Sequence, residues 1–151
     1  MVLKTVPIPI TTLAHSALTG VSTSQHHVLA TTQVFTGSFT RNSASAPSTQ
    51  EITGVGFTVK GVIFFMAQAG DDEMSAGVDD GSTPGAIVDT NVLVVDSWGV
   101  SDLSIFAHHA GSPDTYGATI TTLGTDGFTI TWVEAGSQST GTLTIKFFAW
   151  G

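Results

Sequence analysis

Residues 57–68 read FTVKGVIFFMAQ, and this stretch decides the fold class. Successive side chains of a strand point to opposite sides. Phe57, Val59, Gly61, Ile63 and Phe65 therefore share one face, and Thr58, Lys60, Val62, Phe64 and Met66 the other. The second half is apolar on both faces, which predicts a central strand in a sheet covered on both sides. Two later stretches repeat the period. Residues 128–135, FTITWVEA, follow Asp126-Gly127 and set Phe128, Ile130 and Trp132 against Thr129, Thr131 and Val133. Residues 142–150, TLTIKFFAW, set Leu143, Ile145, Phe147 and Ala149 against Thr142, Thr144, Lys146, Phe148 and Trp150. The glycine-bearing residues 136–140 predict a hairpin loop that pairs these two strands with each other.

The remaining segments are shorter. Residues 32–40, TQVFTGSFT, place Val34 out of phase with Phe35 and Phe39, and Gly37 predicts a bend or bulge. Residues 41–50, RNSASAPSTQ, read as a polar loop. A second loop, 71–85, holds a short strand at 74–78. Residues 86–98 supply one strand or two, and 104–108 and 118–122 one each. Seven to nine short strands, with no stretch long enough for a crossover helix, predict an all-β chain. Its architecture is an antiparallel β-sandwich or jelly roll with an extended N-terminal arm.

Composition narrows the function classes. Of 151 residues only 11% are charged and 41% are hydrophobic, so the chain lacks the charge-rich, apolar-poor signature of disorder. The longest apolar run, residues 61–67, is far below the roughly 20 residues of a membrane-spanning helix. Four Lys and Arg against twelve Asp and Glu give a net charge of -8, which argues against nucleic acid as a partner. Cysteine is absent, so disulfides and thiolate metal sites are excluded. The opening MVLKTVPIPITT has no apolar core of a signal peptide.

The length suits one domain preceded by an arm. Pro7 and Pro9 fix φ and hold Val6, Pro7, Ile8, Pro9 and Ile10 extended. With Leu13 and Leu18, these residues are the expected anchoring and oligomer contacts of an arm over residues 1–27. That arm cannot form a core alone, and the expected β domain is 28–151.

Catalytic signatures are missing. The sequence has no G-x-S-x-G elbow, no Walker loop and no G-x-G-x-x-G opening a helix, and the expectation is a non-enzyme without a cofactor. Asp71, Asp72, Glu73, Asp79 and Asp80 lack calcium-loop spacing and read as a solvated acidic loop. His26 and His27 would bind metal only if three copies met on a threefold axis, because adjacent histidines on one strand diverge. Tyr116, in the turn-rich GSPDTYG, is the best exposed candidate for a glycan contact, with the ambiguous Trp98 second, set against an ordinary structural role for both. Trp132 shares the phase of Phe128 and Ile130 and belongs to the core.

GVGFTVKGVIFFM at 54–66, DGFTITW at 126–132 and the closing KFFAWG resemble motifs of small β-sandwich virion proteins of tailed phages. This group includes capsid decorations, tail fibres and receptor-binding tips. HSALTGVSTSQHH, residues 15–27, is similar to a linker that precedes trimeric heads in such proteins. Val59 stands where the pattern often has Pro, and residues 67–125 carry no matching motif. The resemblance implies a homotrimeric structural protein on the virion exterior. It would be a capsid decoration or short fibre or spike, attached through its arm to a major capsid or tail protein. The alternative it implies is a carbohydrate-binding tip that meets a host-surface glycan.

Overall fold

Alternating Thr, Val, Ile and Phe build ten strands among the residues that this computed structural model describes, namely 32–69, 73–92, 95–108, 114–136 and 141–151. They are β1 (Val34–Asn42), β2 (Thr49–Thr53), β3 (Gly61–Gln68), β4 (Met74–Asp79), β5 (Gly85–Val92), β6 (Val95–Ser101), β7 (Ile105–His108), β8 (Thr115–Leu123), β9 (Gly127–Ala135) and β10 (Thr142–Trp150). Every pairing is antiparallel. One sheet has the order β1-β10-β3-β4-β5-β6 and the other β2-β9-β8-β7. The two sheets pack as a β-sandwich. Residues 32–151 cluster as one unit. The arm expected over residues 1–27, with Val6, Pro7, Ile8, Pro9, Ile10, Leu13, Leu18, His26 and His27, lies outside the described residues.

The core is the sum of the inward phases. Val62, Phe64 and Met66 of β3 and Leu143, Ile145 and Phe147 of β10 face Tyr116 and Ile120 of β8 and Phe128, Ile130 and Trp132 of β9. Phe128 stands edge-on to both Phe147 and Phe64, with centroids 5.2 and 5.7 Å away, and so joins the layers. Each such fully buried side chain contributes about 1.5–3 kcal/mol.

Several expectations change on contact with the structure. The long strand begins at Gly61, not at Phe57. Gly54 and Gly56 both have φ of +84°, and residues 54–60 carry the chain from one sheet to the other. Asp126 organises this crossing. Its carboxylate accepts from Gly54 N and Gly56 N, and its carbonyl accepts from Val55 N. Beyond the crossing, Val59 N donates to Gly124 O and Lys60 N to Trp150 O. Val59 is thus buried in the core ahead of the strand proper.

β10 does not pair with β9. Both edges of β9 are occupied by β2 and β8, and the chain crosses to the opposite sheet, where β10 enters between β1 and β3. Gly37 makes no bulge, because the β1–β10 register runs through it unbroken. A Cβ there would fall 2.5 Å from the Phe147 ring, so the glycine makes room for an aromatic. Residues 41–50 are only partly loop: Arg41 and Asn42 end β1, and Thr49 and Gln50 open β2.

A buried carboxylate ties the layers together. Asp79, at the end of β4, has no solvent exposure. Its Oδ2 accepts from Ser104 Oγ at 2.8 Å and from Ile120 N of β8 at 2.7 Å, and its Oδ1 accepts from Gly81 N at 2.8 Å. Next to it, Gly77 passes so close to the residue before β7 that a Cβ would lie 2.0 Å from Ser104 O.

Candidate functional site

The two sheets differ on their solvent sides. The four-stranded sheet turns threonines outward, with Thr49, Thr131 and Thr119 in register across β2, β9 and β8. The six-stranded sheet turns hydrocarbon outward. One row across β10, β3 and β4 is Phe148, Ile63 and Val78. The next, extended to β5, is Lys146, Phe65, Ala76 and Ile87. Phe65 is 45% exposed, Phe148 45%, Val78 45% and Ile87 56%. Strand alternation forces this result, since Val62, Phe64 and Met66 already fill the inward phase and the odd residues must point away. The sequence pattern anticipated cover on both sides of β3. Within the described residues that outer side is open.

Local chemistry shapes the face. Trp150 lies over Gly61, where a Cβ would fall 2.1 Å from its ring, so the missing side chain lets the indole settle against the sheet. Phe65 and Phe148 meet edge-on at 6.4 Å. Between Ile63, Phe65, Val78 and Ile87 and the Thr83-Pro84 rim lies an open concavity of about 620 Å³. The rim is held by Asp80, whose Oδ1 accepts from Ser82 N, Ser82 Oγ and Thr83 N at 2.8–2.9 Å. The Ser82 hydroxyl bond, then the two backbone bonds, hold the Asp80 carboxyl below its ordinary pKa. Among the described outward side chains of β10, β3, β4 and β5, Lys146 and Asp89 alone are charged.

Tyr116 is a correction. β8 begins at Thr115, and Tyr116 is its second residue, facing inward and 1% exposed. Its ring stacks on Trp132 at 5.1 Å, and its hydroxyl accepts from Arg41 Nε at 2.7 Å. The Arg41 guanidinium also lies over the Trp132 ring and donates through Nη2 to Ala46 O and Ser48 Oγ. Trp132 Nε1 donates to Gln50 Oε1. Burial pushes the Tyr116 hydroxyl above its ordinary pKa, against the opposing pull of Arg41. This cluster joins β1, the 43–48 loop, β8 and β9 internally and offers no ring to a sugar. Trp98 pairs through its backbone with Asp89, and its side chain lies outside the described set.

The expected solvated acidic loop also divides. Glu73 and Asp79 are buried and Asp80 is engaged in its turn, while Asp71 and Asp72 lie outside the described residues. Among the described residues no group of three His, Asp or Glu is placed to hold a metal. No protein-family model matches the chain, and no curated protein or solved structure matches it either. The outer face was half legible in the sequence: the doubly apolar run in residues 61–67 marked it, but alternation alone could not say which phase would stay open.

Proposed function

We propose that this chain is a non-enzymatic structural module of a tailed-phage particle, a capsid decoration or short fibre or spike on the virion exterior. One observation carries the assembly part of this reading: a broad apolar sheet face, in a chain with few charges, that the described residues leave open. Contiguous exposed apolar surface of this kind marks an interaction site on a soluble protein. The virion part rests on the resemblance at residues 54–66 and 126–132 and at the closing KFFAWG. In this reading residues 1–27 anchor a homotrimer to a major capsid or tail protein. The glycan-tip alternative loses its leading residue, because Tyr116 is enclosed.

The test is particle composition. Mass spectrometry and antibody labelling of purified particles, from the phage or prophage whose genome encodes the chain, should find it on the outside. Residues 28–151 expressed in its place should fold and fail to incorporate. Absence from the particles would refute the virion reading, and normal incorporation of the shortened chain would refute the anchoring role.

A further inference from the structure

We infer that the outer face of the six-stranded sheet is where copies of this chain join, its occupant being the same face of a second copy. The inference rests on the assembly reading above but not on the identity of the particle. Three observations select a copy over an unrelated partner.

The first is charge. A chain with net charge -8 repels its own copies over most of its surface. The stripe formed by Phe148, Ile63, Phe65, Val78 and Ile87 carries no ionised group and is a place where two copies can approach without that penalty.

The second is that the face contains its own electrostatic complement. Lys146 is on β10 and Asp89 on β5, at opposite flanks of the apolar stripe. A twofold axis running along the strands between β3 and β4 sets β10 of one copy over β5 of the other. Neighbours around a threefold axis bring the same unlike flanks together. Lys146 then approaches Asp89 of the partner subunit, offset by two residues or about 7 Å along the strand, a step within reach of a lysine stem.

The third is area. Six strands about 4.8 Å apart and about seven residues long cover roughly 29 by 24 Å, or about 700 Å² per copy in projection. Two such faces give about 1,400 Å², inside the range of about 1,200–2,000 Å² for specific stable interfaces.

Light scattering and sedimentation velocity on the full chain test the inference. The expected mass is two or three times 15.6 kDa, falling to a single copy in Phe65→Asp with an unchanged circular dichroism spectrum. Lys146→Asp or Asp89→Lys alone should weaken association by about tenfold or more, and the two together should restore it. Lys146→Asp is an exposed change that leaves the core untouched, so it reads the interface even where Phe65→Asp misfolds. A wild-type monomer at micromolar concentration, an oligomer indifferent to Phe65→Asp, or a swap without rescue would overturn the inference. A mass of two copies would overturn the homotrimer and leave the face. Absence from particles would overturn the virion reading and likewise leave it.

Discussion

Asp79→Asn removes the charge that joins the two sheets and keeps the volume. The carboxylate is inaccessible to solvent and accepts three bonds, from Gly81 N, Ser104 Oγ and Ile120 N. An asparagine can present its oxygen to only one side. Turned toward Ser104 and Ile120, it sets an NH2 against Gly81 N–H and loses that bond. The two surviving bonds also weaken from charge-assisted to neutral. A hydrogen bond to a charged group contributes about 1.5–3 kcal/mol and a neutral one about 1 kcal/mol, so the loss should total about 3 kcal/mol. For a unit of this size that lowers Tm by about 12 °C. Thermal unfolding followed by circular dichroism reads the shift. Ser104→Ala alone should cost about 1 kcal/mol, and the double variant should cost less than the sum, because Asp79→Asn already weakens the bond that Ser104→Ala removes. An Asp79→Asn melt within about 2 °C of wild type would refute the claim that this carboxylate holds the layers together.

Two further outcomes follow from the same geometry. Tyr116 is the chain's sole tyrosine, so absorbance at tyrosinate wavelengths reports it alone. Its folded-state pKa is raised, so the stabilisation it carries is complete below the unfolded value of about 10 and is lost as pH rises through the folded value. The folded protein should ionise later than the denatured chain, and an equal or earlier midpoint would contradict the buried placement. Gly77→Ala should destabilise by about 3 kcal/mol, because its Cβ meets the Ser104 carbonyl at 2.0 Å. Gly54→Ala, open in space but held at φ +84°, should cost only about 1–2 kcal/mol in a denaturant melt. Equal losses for the two would sink the close-approach argument.

The strands with strict alternation were legible in advance. Phe128, Ile130 and Trp132, and Leu143, Ile145 and Phe147, point inward as their period requires. β2 was hidden because its inward phase holds only Gln50 and Ile52, too few apolar residues to register as a period. Tyr116 was misplaced because Gly, Ser, Pro and Asp immediately before it dominate the local signal, while β8 begins one residue earlier. The destination of β10 could not be read, since its period is the same whichever sheet it joins. The role of Asp79 was out of reach of any local pattern, with partners 25 and 41 residues further along. The outer face was visible as excess apolar character in residues 61–67, but only the packed core tells which half of that excess is left over.

The insertion of β10 between β1 and β3 has a bearing on synthesis. Asn42 pairs with Thr142 and Val34 with Trp150, so the first described strand waits until residues 142–150 have been made before it gains this neighbour. Until then, among the described strands, β1 has no mate in its sheet and one edge of β3 stays bare. Late closure between such distant segments makes folding slow and leaves sticky edges open meanwhile. A nascent chain stalled before residue 142 should therefore be a preferred client of ribosome-associated chaperones, and one released after residue 150 should escape them.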